Sequence, residues 1–87
     1  MTRKETKEVK KILHNADKEY VLEILSKINL SIREKTVIES TELDRVTISE
    51  MAEKMYLSPD SISNIKKSAV NKIYTFLMQK NYIKNTN

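Results

Sequence analysis

Thr47-Ile48-Ser49-Glu50-Met51-Ala52-Glu53-Lys54-Met55-Tyr56-Leu57-Ser58-Pro59-Asp60-Ser61-Ile62-Ser63-Asn64-Ile65 reads as a helix, a tight turn and a second helix. Thr47 with Glu50 three residues on makes a capping box, and Ser58 followed by Pro59 makes an N-cap with proline at the first helical position. Each arrangement accommodates backbone amides that a helix start leaves without a carbonyl partner. The first helix carries Ile48, Met51, Ala52 and Met55 on one face, and the second continues the apolar spacing through Ile62, Ile65, Ala69 and Ile73. Ala52 is small enough to let the two helices cross closely.

Upstream, Ser31 and Glu34 form another capping box after Asn29-Leu30, opening a scaffold helix that carries Ile32, Val37, Ile38 and Leu43. Glu42-Leu43-Asp44-Arg45-Val46 then links it to the helix at Ile48. Nearer the amino terminus, Val9, Ile12, Leu13, Ala16, Tyr20 and Ile24 recur at helical spacing, so residues 1–28 read as one long amphipathic helix. Asn15 and Asp17 can cap or interrupt a helix, and a two-helix reading with a joint near residue 16 stays open. Val21, Leu22, Leu25 and Ile28 widen the apolar surface there, which requires burial on more than one side.

Composition narrows the class. At 87 residues the chain is one domain with a limited core, and with no glycine and one proline it has little material for tight hairpins, so an all-α fold follows. The absence of cysteine removes disulfides and thiolate chemistry and fits a cytoplasmic protein. No apolar run has the length of a membrane span, and Met1-Thr2-Arg3-Lys4-Glu5 leads into mixed charge instead of a signal core. Lysine and arginine outnumber carboxylates by seven to five in residues 1–28, trail by four to six in 29–57, and lead by five to one in 58–87. That last surplus lies on and after the second helix, where a nucleic-acid surface needs cations to neutralise phosphates.

Glu50-Met51-Ala52, Met55, Leu57-Ser58, Ser61-Ile62, Asn64-Ile65 and Ala69-Val70-x-Lys72-Ile73 resemble the helix-turn-helix shared by region 4 of bacterial sigma factors and by LuxR-type regulators. Leu30-Ser31-Ile32-Arg33-Glu34-Lys35-x-Val37-Ile38 is similar to the opening of the scaffold helix in the same families. The likeness covers residues 30 to 77, and the longer, glycine-free link from Val37-Ile38 to Glu50 favours the sigma-like form over the LuxR-like one, as a small stand-alone module. It implies a helix-turn-helix domain of four to five helices: an N-terminal amphipathic segment at 1–28 and a sigma region 4-like unit at 30–83.

The function implied is sequence-specific binding of double-stranded DNA by a transcriptional regulator of bacterial, phage or mobile-element origin. In such proteins the front of the second helix reaches base edges. With Ile62, Ile65, Ala69, Ile73, Phe76 and Leu77 inward, a step of 100° per residue turns Asp60, Asn64, Lys67 and Asn71 outward. Ser61, Ser63, Asn64 and Lys67 are therefore the candidates for base edges, Asn64 by paired bonds to adenine. Asp60 would oppose a phosphate, so it either accepts from a cytosine amino group or serves its own helix start, the second role being the more common. Thr47, Ser49, Lys54, Ser58, Lys66 and Lys72, with Arg33 and Lys35 on the scaffold helix, are the candidates for the DNA backbone.

Two alternatives remain: a module that docks on RNA polymerase, and a DNA-binding accessory factor for recombination or plasmid transfer. Catalysis is not expected, nor is a cofactor or a metal site. His14 is the only histidine and is read as solvent-facing, Glu39, Glu42, Asp44, Glu50 and Glu53 as scattered exposed carboxylates, and a phosphate loop would need glycine. Ile73, Phe76, Leu77, Tyr82 and Ile83 require cover, as does the stripe containing Ile12 and Tyr20. Either the first helix packs on the tail of the last, or two chains pair about a two-fold axis. The limited core favours a homodimer.

Overall fold

The computed structural model describes residues 3–80, with side chains from residue 7 onward. The expected roles of Tyr82 and Ile83 and the unit boundary at 83 lie outside the described residues. Five α-helices follow one another: α1 Arg3–Asn15, α2 Lys18–Ser26, α3 Ile32–Ile38, α4 Ile48–Met55 and α5 Pro59–Gln79. A π-helical turn, Glu39–Leu43, prolongs α3. No strand occurs among the described residues, in keeping with the all-α expectation.

The single long helix expected at 1–28 is instead two helices, and the joint falls at Ala16 and Asp17. Asp17 adopts extended backbone (φ −60°, ψ 142°) as the N-cap of α2. The buried positions explain the break. Val9 and Leu13 line one side of α1, whereas Val21, Ile24 and Leu25 are the buried residues of α2. Along a continuous helix the centres of these two sets would lie roughly 90° apart, and the break lets each helix turn its own buried side to the core. Tyr20, which a continuous stripe would bury, is on the exposed side.

α5 organises the rest. Its 21 residues span about 31 Å, enough to pass through both hydrophobic clusters. Near its start Ile62 packs with Val37, Met51 and Ala52, and with the half-buried Ile48, Met55, Leu57 and Ile65. Farther along, Ala69, Val70, Ile73 and Leu77 pack with Val9, Leu13, Val21, Ile24, Leu25 and Ile38. The tail of α5 is thus covered by α1 and α2 of the same chain, with Ile12 and Phe76 half-buried beside them. The packing of the first helical segment on the tail of the last helix, one of the two arrangements the sequence allows, is present within the chain. Ile73 and Leu77 are buried within the chain. Ile32 also departs from expectation: it is 86% exposed at the first position of α3, while Val37 and Ile38 fill the core.

All three expected N-cap bonds form, but the reciprocal box expected at Thr47 and Glu50 does not, because the Glu50 carboxylate takes the Thr47 hydroxyl instead of the Thr47 amide. Ser31 and Glu34 make the full reciprocal box, Ser31 N donating to Glu34 Oε1 at 2.8 Å and Glu34 N to Ser31 Oγ at 3.1 Å. Thr47 Oγ1 accepts from Glu50 N at 3.1 Å, and its hydroxyl, at 3.2 Å, donates to the Glu50 carboxylate. Ser58 Oγ accepts from Ser61 N at 3.2 Å, with Pro59 as the first residue of α5.

Helix ends met more difficulty, because the chain has no glycine. α4 closes in a Schellman motif, Leu57 N donating to Ala52 O at 3.0 Å and Tyr56 N to Glu53 O at 3.4 Å. The motif requires a left-handed residue, and Tyr56 supplies it (φ 56°, ψ 41°). Arg45 (φ 59°) does the same after the π-helical turn, where Val46 N reaches Ser40 O at 2.8 Å. Left-handed backbone costs a residue with a Cβ about 1–2 kcal/mol.

Ser58→Ala is expected to cost about 1 kcal/mol in chemical unfolding, and Ser58→Asp to recover most of it. Parent-like unfolding of both variants would show that this cap contributes nothing.

Candidate nucleic-acid interface

Two buried carboxylates fix how α5 is seated. Glu34, on α3, is 5% exposed. Besides the Ser31 amide, its carboxylate accepts from Lys72 Nζ at 2.8 Å and from Ser68 Oγ, both on α5. Burial pushes this carboxyl up, but the bonds from Lys72, Ser68 and Ser31 outweigh burial and lower it from 4.5 to about 2.

Glu42, in the π-helical turn, is also 5% exposed. Its Oε2 lies 2.6 Å from His14 Nε2 of α1, and Lys66 Nζ of α5 stands 2.7 Å from Oε1. Oε1 receives no directed hydrogen bond, so the Lys66 charge is what compensates it. Here too burial raises the carboxyl, and the contacts with Lys66 and His14, with the more distant Lys10 charge, bring the net shift below the ordinary value. Glu42 is therefore not among the exposed carboxylates as expected, and His14, although part of its ring meets solvent, has a structural partner.

With α5 held this way, Asp60, Asn64, Lys67 and Asn71 are all exposed, as the 100° step predicts. Of the four candidates for base edges, Asn64 and Lys67 belong to this outer face. Ser61 and Ser63 are half-buried on its flanks, and Ser61 Oγ accepts from the Ser58 hydroxyl at 3.0 Å. Among the candidates for the backbone, Thr47, Ser49 and Lys54 are exposed on α4 and its cap, Ser58 is exposed before α5, and Arg33 and Lys35 are exposed on α3. Lys35 Nζ is 4.0 Å from Glu39, a solvent-screened pair of little strength.

Lys66 and Lys72 are different. Both are engaged by the buried carboxylates, and the Lys66 side chain is only 20% exposed. The same 100° step places Lys66 within the arc of Ile62, Val70 and Ile73, so its inward direction was present in the sequence. Its partner was not, because Glu42 belongs to a π-helical turn that apolar spacing does not announce. Tyr56 was missed in another way: the turn was legible, but which residue would take the left-handed position was not.

No family model matches this chain, and no curated protein or solved structure matches it.

A group lowered in the folded state stabilises the protein fully above its unfolded value, and that contribution disappears as pH falls through the folded value. For Glu34 the interval runs from 4.5 down to about 2, and Glu42, shifted in the same direction, adds to the acid limb. Glu34→Gln is expected to flatten the loss of stability across that interval when urea unfolding is followed against pH. An unaltered acid limb would show that the Glu34 carboxylate is not held by these bonds.

Lysine replacement separates the inner and outer faces of α5. Lys66→Ala removes the cation nearest a buried carboxylate and should cost roughly 3 kcal/mol, whereas Lys67→Ala should stay within about 0.5 kcal/mol. Similar small losses for both, by urea unfolding, would contradict the buried pair.

Proposed function

We propose that this protein binds double-stranded DNA in a sequence-specific manner, as a helix-turn-helix regulator of transcription in a bacterium, phage or mobile element. The observation that carries the proposal is the outer face of α5. Asp60, Asn64, Lys67 and Asn71 are exposed on a helix whose other sides are committed to two apolar clusters and two buried ion pairs. Such a face is short, polar and rigidly presented, the form needed to enter a major groove.

In the proposed complex the first turns of α5 lie in the groove and α4 crosses the backbone to set the register. Asn64 makes paired hydrogen bonds to a base edge, and Ser61, Ser63 and Lys67 flank it. Thr47, Ser49, Ser58 and Lys54 contact phosphates, with Arg33 and Lys35 extending the contact along α3. The resemblance to sigma region 4 and the excess of cations in residues 58–87 support the same reading. Lys66 and Lys72 are left out of the phosphate set because their charges are already matched within the chain.

A site recovered by selection from randomised duplexes supplies the test. Asn64→Ala should cost about 1–3 kcal/mol on the selected site and little on unrelated DNA, while Lys54→Ala should weaken both alike and reduce the salt slope by about 1. Affinity that does not respond to salt would exclude a phosphate-based interface and favour docking on a protein such as RNA polymerase.

A further inference from the structure

The turn between α4 and α5 presents an aromatic ring on a left-handed backbone. Tyr56 is 94% exposed, and its side chain belongs to neither apolar cluster. The Schellman bonds use its backbone, and the apolar contact that accompanies them is made by Leu57. Glycine would close α4 equally well and would relieve the left-handed position of its Cβ. The ring therefore brings a backbone cost and no packing gain within the chain, a combination that points to a contact outside it.

Position identifies that contact. Tyr56 lies two residues before Ser58, the N-cap of α5, at the end of α5 that carries Ser61, Ser63 and Asn64. In the proposed complex this end enters the groove, so residues of the preceding turn meet the phosphates and sugars at its edge. A tyrosine suits that place, since its ring covers a sugar face and its hydroxyl donates to a phosphate oxygen.

We propose that Tyr56 is a DNA-backbone contact, an inference that rests on the duplex-binding function proposed above. Being neutral, Tyr56 displaces no counterion, and its contribution is independent of salt. Parent, Tyr56→Gly and Tyr56→Phe are compared by thermal melting and by anisotropy titration with the selected duplex and an unrelated duplex of equal length. Tyr56→Gly should melt above the parent yet bind both duplexes about tenfold more weakly, with an unchanged salt slope. Tyr56→Phe keeps the ring and should lose about threefold. Tyr56→Asn, also tolerant of left-handed backbone, repeats the comparison independently of glycine's flexibility. Parent-like affinity in both the glycine and asparagine variants overturns the contact while leaving duplex binding intact. A parent that binds neither duplex overturns both.

Discussion

Two carboxylates taken out of water impose the rotation of α5, and the outward face of that helix depends on them. Glu34 and Glu42 are carried by α3 and the π-helical turn that prolongs it. An uncompensated buried carboxylate costs several kcal/mol, so each must meet a cation, and Lys72 and Lys66 of α5 supply them. Turning α5 by one residue would move both lysines through 100° and take from both carboxylates their lysine partners, leaving Glu34 the Ser31 amide and Glu42 the His14 ring. Apolar packing is more forgiving, since a rotated helix can often find substitute contacts. The ion pairs define the register, and the polar pole at Asn64 and Lys67 follows from it.

The lack of glycine acts on the other element that borders this face. α4 has eight residues, too few to be stable by itself, and it is bracketed by the left-handed Arg45 before it and the left-handed Tyr56 after it. Both sharp changes of direction are made by residues that carry side chains. α4 is kept in place by Met51 and Ala52 against Val37 and Ile62, and by its Thr47 cap. The packing of this small cluster thus supports the strain at both of its ends.

Local signals in the sequence were the ones most completely legible. Ser31, Thr47 and Ser58 could be recognised as caps because a cap is made by residues within three positions of one another. The outer pole of α5 followed from spacing alone. The break near residue 16 was visible only as an alternative, because Asp17 caps α2 with its backbone conformation and makes no side-chain cap bond. Ile32 fits the apolar spacing of α3, yet its place at the first helical position leaves it outside the core. His14 and Glu42 are 28 positions apart, and Glu34 and Lys72 are 38 apart. Pairings at that separation depend on how whole helices cross, which no local pattern encodes.

Those long-range pairings change what the charge distribution means for DNA. In the sequence, residues 58–87 carry five cations and residues 29–57 six carboxylates, a contrast that suggests a strongly basic reading surface. Two of those cations and two of those carboxylates neutralise each other inside the fold. The net charge of +4 is unaltered, so attraction toward a duplex at distances beyond the Debye length is nearly what the sequence implies. Counterion release is different, because it counts phosphates contacted and an already paired lysine releases few ions. In the duplex complex proposed above, encounter would accordingly be assisted by the whole chain, whereas the held state would depend on fewer cations and, to a greater degree, on neutral donors and base contacts.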